Sequence, residues 1–315
     1  MSFTVREAQH VLAQKFLLEE GVTGVSHACG RLIVYVESLE HARMIPRTLM
    51  GFPVEVRVSG RIRTLQPAWA GRTARFRPVC GGCSIGSVNV SAGTNATRVI
   101  DRATRLKMFL SNRHIFWGDT GVPITQPAPY DGGTDEDVVA YIGRYVEIKP
   151  PPDTNLVDAA LGEPVDQSIV SDEILGIGVA DGVAEPRVGM KIKKSGRTCG
   201  VAEAVVIDTN ATVKVEGYPD IGVAIFEDTV ITTVCGLNGD SGSLAVSADT
   251  GAAVGLLFAG SDVVTCFNKI TNVCRLLDVE IPRAAAAQPA AAHVLIIAAA
   301  GLAGAALLSI STPRV

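Results

Sequence analysis

The stretch of the sequence best suited to chemistry is residues 238–243, which read N-G-D-S-G-S. The stretch lies between two β-rich runs, so Ser241 is expected on a tight loop between strands. Gly239 and Gly242 would let the loop backbone turn its N–H groups toward one point near the Ser241 hydroxyl. Such N–H groups stabilise an oxyanion by about 2.7–4 kcal/mol per donor. The motif therefore predicts a nucleophilic serine beside an oxyanion hole.

A serine hydroxyl is a weak nucleophile and needs a general base. The sequence contains five histidines: three lie within the first 60 residues, one lies in the tail, and His114 follows a β-rich run in the middle of the chain. By elimination, His114 is the candidate base. A lone histidine at the end of a strand is more often structural, but the Ser241 motif downstream favours the general base.

A catalytic histidine needs a carboxylate that orients its other ring nitrogen. Asp158 is the single acid in the apolar run N-L-V-D-A-A-L, so its side chain is predicted to be buried and to need a donor. Asp131, Asp137 and Asp153 lie in polar, proline-rich or glycine-rich stretches and are expected to be solvated. A buried ion pair unrelated to catalysis is the alternative role for Asp158.

The elements that would position these residues lie between two flanking segments. Residues 1–60 predict a small α+β domain, with helical periodicity over residues 5–20 followed by β-rich runs. Residues 61–78 contain five arginines without an apolar period and are interpreted as a basic linker that wraps around the protein. Residues 79–282 contain many short β-branched runs separated by turn residues, and long helical patterns are absent. This texture predicts two small antiparallel β-barrels.

The tail differs from the rest of the chain. Residues 283–293 form an Ala/Pro linker, and residues 294–310 form an uncharged run that predicts a hydrophobic helix. Its length is at the lower end of a bilayer span, which takes about 20 residues. Two interpretations stay open: a membrane tether, and a helix docked on the protein or on a neighbouring subunit of a homo-oligomer.

Composition excludes several classes of protein. The 315 residues carry a formal net charge of −4, which argues against a nucleic-acid-binding protein. With 47% hydrophobic residues and low net charge, the chain is unlike disordered proteins. The N-terminus has no apolar signal segment, and the cysteine count of seven is odd, so free thiols and a cytoplasmic location are expected. Cys80 and Cys83 form one C-x-x-C motif, but structural zinc needs four ligands, so we expect neither a metal nor another cofactor.

Taken together, these residues resemble the chymotrypsin-like (trypsin-fold) serine proteases. His114, Asp158 and Ser241 occur in that family's chain order, 44 and 83 positions apart, and the resemblance covers about residues 80–280. More narrowly, L-S-N-R-H at 110–114 and K-K-S-G-R-T-C-G at 193–200 resemble a bacterial branch that is related to a plant growth-regulating protease.

The resemblance implies a serine endopeptidase that acts on polypeptides through an acyl-enzyme. His114 would be the general base, Asp158 its orienting partner and Ser241 the nucleophile, and the N–H groups of Gly239 and Ser241 would form the oxyanion hole. The resemblance also places a substrate-binding strand and the base of the specificity pocket. These substrate-binding positions are Phe258, Ala259 and Gly260 on the strand and Cys235 in the pocket. Since Cys235 is uncharged, a small or apolar residue is expected before the cleaved bond.

The sequence departs from the family at two positions. Arg113 stands where the bacterial branch has a second asparagine. In secreted members, the acid that matches Asp240 pairs with an N-terminus freed by cleavage, and no such cleavage site precedes the first predicted barrel. Activity is therefore expected to be constitutive or to be controlled in another way.

Two other functions were weighed against a peptidase. An α/β-hydrolase requires G-x-S-x-G, but Ser243 stands where the second glycine is needed, and alternating helices are absent. A protease fold without activity could serve as a binding or scaffolding protein. The complete set of three catalytic residue types argues against this alternative.

Overall fold

The computed structural model describes residues 3–62 and 71–283. The predicted helix at residues 294–310, and all but the first residue of the linker that precedes it, lie outside the described part of the chain. Within residues 3–62 and 71–283, no helix is both long enough and apolar enough to cross a bilayer.

The described chain begins with a short α+β segment. Helix α1 (Val5–Phe16) starts at a capping box, in which Thr4 Oγ1 accepts from the Glu7 N–H and the Glu7 carboxylate accepts from the Thr4 N–H. This exchange satisfies two N–H groups that the first turn leaves unpaired. The segment continues in four strands: β1 (Val22–Ala28), β2 (Arg31–Val36), β3 (Thr48–Leu49) and β4 (Phe52–Val58).

The middle of the chain supplies most of the strands of an eight-stranded sheet. The strands of this region are β5 (Val79–Gly81), β6 (Ser84–Ser87), β7 (Gly93–Thr94), β8 (Arg98–Asp101), β9 (Lys107–Ser111), β10 (Pro123–Thr125), β11 (Val138–Tyr145), β12 (Thr154–Asn155), β13 (Ala160–Pro164), β14 (Val170–Ile174) and β15 (Gly178–Val179). With β22 (Val279–Glu280), the sheet order is β22-β8-β9-β13-β11-β10-β6-β7, and all of its pairings are antiparallel. Strands β5, β14 and β15 form a separate small sheet.

The following region forms a closed barrel. Its strands are β16 (Lys191–Gly196), β17 (Gly200–Tyr218), β18 (Gly222–Thr233), β19 (Leu244–Ser247), β20 (Ala253–Gly260) and β21 (Val264–Lys269), and they precede helix α2 (Ile270–Leu276). The order β18-β21-β20-β19-β16-β17 returns to its start because β17 also pairs with β18. The described chain is therefore mainly β, which confirms that part of the sequence prediction.

The N-terminal segment extends the sheet of this barrel. Strand β1 pairs with β17 in the register Val25 opposite Thr212, so β1, β2, β4 and β3 continue the same hydrogen-bonded sheet. Asp208 of β17 fixes the junction: its carboxylate accepts hydrogen bonds from Tyr35 Oη at 2.8 Å and from Ser26 Oγ. All three residues are buried, so this junction is a packed interior.

The eight-stranded sheet and the barrel share one apolar core. Leu110 and Leu161 of the eight-stranded sheet belong to the same buried cluster as Leu244 and Leu256 of the barrel and Val273 of α2. The loops that follow β9, precede β13 and precede β19 carry His114, Asp158 and Ser241, respectively. The candidate site therefore receives residues from both sheets.

The Asp208 junction gives a first prediction. Replacing Asp208 by alanine leaves Tyr35 and Ser26 without their acceptor, so the free energy of unfolding is expected to fall by about 1–3 kcal/mol. Urea unfolding measures the change. Asp262→Ala is the matched control, since Asp262 is exposed and its replacement should stay within about 0.5 kcal/mol of the wild type. Equal stability of the two variants would contradict the role of Asp208.

Candidate active site

Strand pairing brings the candidate base and its carboxylate together. Strand β9 pairs with β13, with Ser111 opposite Ala160, so the loops that carry His114 and Asp158 are adjacent. His114 Nδ1 is hydrogen-bonded to Asp158 Oδ2, and the His114 backbone N–H donates to Asp158 Oδ1 at 3.1 Å. Asn112 Nδ2 donates to the Asp158 carbonyl at 2.7 Å. These contacts fix the imidazole and leave Nε2 as the nitrogen available to a substrate or nucleophile.

The barrel supplies two further partners of the aspartate, and neither was identified from the sequence. Tyr218 Oη donates to Asp158 Oδ2 at 2.7 Å, and the Asp158 backbone N–H donates to Asn268 Oδ1 at 2.9 Å. The rings of Tyr218 and His114 meet edge to face at 5.8 Å between centroids. Burial and the charge of Asp158 raise the pKa of Tyr218 well above its usual value, so the phenol stays a neutral donor. Tyr218 and Asn268 lie on barrel strands, so their position beside Asp158 depends on long-range packing and left no local signal.

The loop that carries Ser241 is held by three hydrogen bonds to two other segments of the chain. Thr94 donates its backbone N–H to the Ser241 carbonyl and its hydroxyl to the Gly239 carbonyl, both at 2.8 Å. The Gly242 N–H donates to the Leu257 carbonyl at 2.8 Å. Gly242 has φ +95°, and a Cβ there would collide with the Thr94 carbonyl oxygen and with Ser111 Oγ. The serine loop and the strand that leads to His114 are therefore in direct contact.

The predicted oxyanion donors lie at the turn of this loop. Gly239 has φ +92°, and among residues 3–62 and 71–283 no acceptor takes the N–H of Gly239 or of Ser241. Ser241 is buried, and its Oγ has no hydrogen-bond partner in the described chain. The hydrogen bond between His114 and Asp158 is thus formed, whereas no bond joins Ser241 Oγ to His114. Catalytic hydrogen bonds are often long in an unliganded site and tighten when substrate binds.

An internal lysine neutralises the acid that precedes the serine. Lys194 Nζ lies 2.5 Å from Asp240 Oδ2, and both side chains are fully buried. The same carboxylate accepts backbone N–H groups of Thr198 at 2.8 Å and of Leu237 at 3.0 Å. The family resemblance assigns the matching acid to a cleaved N-terminus, but here an ammonium group of the folded chain makes the contact. The serine loop is therefore ordered without a cleaved end.

Two sequence interpretations near the site need correction or completion. Asp131 was expected to be solvated, but it is nearly buried in an ion pair with the Arg197 guanidinium and also accepts from Ser84 Oγ at 2.5 Å. Its glycine-rich surroundings in the sequence gave no sign of this distant partner. Arg113 donates to the Phe116 carbonyl at 2.6 Å and lies 3.8 Å from the centre of the Tyr145 ring. It anchors the turn that follows His114.

The prediction of a solvated side chain is also wrong for Asp137, whereas it holds for Asp153. Asp137 is mostly buried and pairs with Arg75 at 3.0 Å, and hydrogen bonds from Thr134 and Arg75 lower its pKa despite burial. Asp153 is exposed, in agreement with its polar surroundings. Arg75 belongs to the basic linker, so this contact ties the linker to the eight-stranded sheet.

Three of the predicted substrate-binding positions lie on β20, which follows the serine, and the fourth, Cys235, lies in the loop between β18 and β19. Phe258, Ala259 and Gly260 form the end of β20; pairing with β19 reaches only as far as Leu256, while pairing with β21 continues through Gly260. The backbone edge of residues 258–260 that faces away from β21 therefore forms no strand pairing with β19. Cys235 is buried, and its N–H donates to Thr265 Oγ1 at 2.9 Å. Within the described residues, no group of three histidines, cysteines or acids is placed to hold a metal ion.

Comparison with known proteins identifies the fold. No protein-family model and no curated protein matches the sequence. Among solved structures, protease A of Thermobifida fusca matches with a TM-score of 0.50 at 18% identity, over 65% of this chain and 99% of that chain. The chymotrypsin of Cellulomonas bogoriensis matches with a TM-score of 0.48 at 19% identity, over 65% of this chain and 99% of its own. A glutamic acid-specific serine protease matches with a TM-score of 0.48 at 23% identity, over 64% and 100% of the two chains.

The chain has the chymotrypsin-like serine protease fold. This confirms the fold expected from the order of His114, Asp158 and Ser241. An identity of 18% establishes the fold alone. The narrower resemblance to a plant growth-regulating protease stays a prediction.

The bond from Tyr218 to Asp158 gives a second prediction. Tyr218→Phe removes one hydrogen bond to a charged group, so the rate at which a serine-directed probe acylates the protein is expected to fall about 10–100-fold. Time-resolved intact mass measures that rate. Tyr141→Phe is the matched control, because the Tyr141 side chain is exposed on β11. Unchanged acylation in folded Tyr218→Phe would contradict a positioning role.

The buried ion pair gives a third prediction. Lys194→Met leaves the Asp240 carboxylate buried and uncompensated, so the free energy of unfolding is expected to fall by about 3–5 kcal/mol. Lys193→Met is the matched control, because the Lys193 side chain is 43% exposed and pairs with an exposed glutamate. Its replacement should lower the free energy of unfolding by less than about 1 kcal/mol. Urea unfolding compares the two. A similar loss in both would show that Lys194 has no special role.

Proposed function

We propose that the protein is a serine endopeptidase that cleaves polypeptides through an acyl-enzyme. The observation that supports this most strongly is the buried hydrogen bond between His114 Nδ1 and Asp158. It directs the proton of the neutral ring to Nδ1 and leaves the Nε2 lone pair to act as a base. Close approach of Gly242 to Ser111 brings the serine loop against the strand that leads to His114.

In the proposed mechanism, Ser241 Oγ attacks the carbonyl carbon of the scissile peptide while His114 Nε2 takes the hydroxyl proton. Asp158 stabilises the resulting imidazolium without itself being protonated. The N–H groups of Gly239 and Ser241 would bind the oxyanion. His114 then donates its proton to the leaving amine, and an acyl group remains on Ser241. Water, deprotonated by His114, hydrolyses this ester and regenerates the enzyme.

The specificity pocket is proposed to accept a small or apolar side chain. Cys235 would lie at its base, where burial raises the pKa of the thiol and keeps it neutral. The nearby polar groups are hydroxyls: Thr265 Oγ1 accepts from the Cys235 N–H, and Thr232 Oγ1 lies 3.9 Å from the Cys235 sulfur. None of these three side chains carries a charge that would favour lysine or arginine.

Three further proposals, on location, membrane attachment and assembly, are supported by the sequence alone. A cytoplasmic location, a tether through residues 294–310 and assembly into a homo-oligomer are proposed from the pattern of the chain. The same holds for membership of the bacterial branch related to the plant protease.

One observation favours the alternative, a protease-fold binding or scaffolding protein. Ser241 Oγ is buried and lacks a hydrogen-bond partner among the described residues, as in a site that does not turn over. Reaction with a serine-directed probe separates the two functions, since only an assembled site activates the hydroxyl.

A fluorophosphonate provides a fourth prediction. The wild type is expected to gain one probe per chain, Ser241→Ala none, and His114→Ala to react at least about 10³-fold more slowly. Intact mass follows the reaction, and circular dichroism confirms that each variant is folded. Failure of the folded wild type to react would refute the peptidase and leave the binding protein. A mild effect of His114→Ala would mean that another group is the base.

A further inference from the structure

A pair of cysteines forms a tight turn behind the serine loop. Gly82, with φ +79°, reverses the chain between β5 and β6, so Cys80 and Cys83 lie close to each other across the turn. Cys83 Sγ donates to the Cys80 carbonyl at 2.9 Å. Both residues are buried, and both thiols are free. The C-x-x-C motif is thus a folded dithiol, with no group of described residues around it that could complete a zinc site.

The two thiols differ in their electrostatic surroundings. A hydrogen bond with Cys83 lowers the pKa of Cys80, and the positive charge of Arg72 lowers it further, against the effect of burial. Burial and the neighbouring Cys80 raise the pKa of Cys83. Cys80 also retains some exposure, at 7%, whereas Cys83 has none. This asymmetry suits a reactive thiol and a resolving thiol.

The dithiol turn is clamped by one residue. Asn95 donates its backbone N–H to the Cys83 carbonyl at 2.9 Å and its side-chain amide to the Cys80 carbonyl at 3.0 Å. Its own carbonyl accepts from the Gly82 N–H at 2.7 Å. Three hydrogen bonds therefore tie the position of Asn95 to the shape of the turn.

The residue before Asn95 connects the dithiol turn to the candidate active site. Thr94, which precedes Asn95, makes the two hydrogen bonds to the Gly239 and Ser241 carbonyls. The dithiol turn has little room to absorb a change, because a Cβ on Gly81 would meet the Ala96 carbonyl at 2.5 Å and Ile174 at 2.8 Å. A movement of the turn should therefore reach the serine loop through Asn95 and Thr94.

We propose that Cys80 and Cys83 are a redox site that a small hydroperoxide oxidises to a disulfide, and that the disulfide slows reaction at Ser241. The effect on Ser241 rests on the proposed peptidase function. A disulfide joins the two sulfurs at about 2.05 Å and removes the proton of the Cys83 thiol. The bond from Cys83 Sγ to the Cys80 carbonyl is then lost, and this is the same carbonyl that accepts from the Asn95 side chain. The structure described here, with both thiols free and Thr94 bonded to the serine loop, then represents the reduced form.

The oxidation is balanced in two steps. The Cys80 thiolate attacks one oxygen of the hydroperoxide, which breaks the O–O bond and forms the sulfenic acid Cys80–SOH with release of hydroxide or alkoxide. The Cys83 sulfur then attacks the Cys80 sulfur, forms the S–S bond and releases water. Two thiols lose two electrons and two protons, and the hydroperoxide is reduced to water and an alcohol, or to two waters if it is hydrogen peroxide.

The test is oxidation of the full chain with hydrogen peroxide, followed by peptide mapping and by the rate of fluorophosphonate reaction. The wild type is expected to lose two hydrogens in a peptide that joins Cys80 to Cys83, and its reaction rate to fall about tenfold or more, since small displacements of a nucleophile are costly. Dithiothreitol should restore both. Cys80→Ser and Cys83→Ser should each keep their rate in peroxide. Cys29→Ser, which removes an exposed thiol far along the chain, is the control and should respond like the wild type.

Two results would overturn the proposal. One is the absence of the Cys80–Cys83 disulfide after oxidation. The other is its formation without any change in the reaction rate. If the reduced wild type does not react with the probe at all, the peptidase fails separately. Peptide mapping still decides the redox site in that case, and faster hydrogen exchange of the Thr94 amide in the oxidised chain decides the coupling to the serine loop.

Discussion

The arrangement of the site depends on one buried carboxylate. Asp158 is fully buried, and a charge in that position is tolerated only when it is well supplied with donors. The loop after β9 provides two of them, the His114 ring and the His114 N–H, and the barrel provides the third, Tyr218 Oη. Since these donors come from both sheets, the aspartate links the two halves of the fold. Burying this charge requires the same packing that orients the histidine.

A second constraint acts on the serine loop and is independent of the first. Asp240 is neutralised by Lys194 from within the folded chain, and Thr94 fixes two carbonyls of the loop from the opposite sheet. The N–H groups of Gly239 and Ser241 have no acceptor among the described residues. The loop therefore reaches its shape through contacts within the described chain. The Cys80–Cys83 turn lies behind the Thr94 contact and offers a chemical means of changing it.

The parts that the sequence predicted are those with local signals. Alternating β-rich runs and turn residues indicated a mainly β fold, and a single acid in an apolar run indicated that Asp158 is buried. The order of His114, Asp158 and Ser241 then led to the trypsin-like fold that the structural comparison confirms. Their assignment as catalytic residues stays a proposal.

What the sequence missed are contacts between residues far apart in the chain. Tyr218 is 60 positions from Asp158, and Arg197 is 66 positions from Asp131, so no local pattern links either pair. The pairing of β1 with β17, which joins the N-terminal segment to the barrel, was missed for the same reason. Such contacts are set by how whole sheets pack, and a single sequence carries no record of them.

The proposed mechanism requires Ser241 to form a covalent acyl intermediate. The most direct measurement is the reaction of the protein with an activated ester of a short peptide that ends in alanine, quenched in acid and mapped by mass spectrometry. A serine nucleophile should give a rapid burst of one leaving group per chain and an acyl group on the peptide that contains Ser241. Slow release without a burst, or an acyl group on a cysteine or lysine instead, would contradict it.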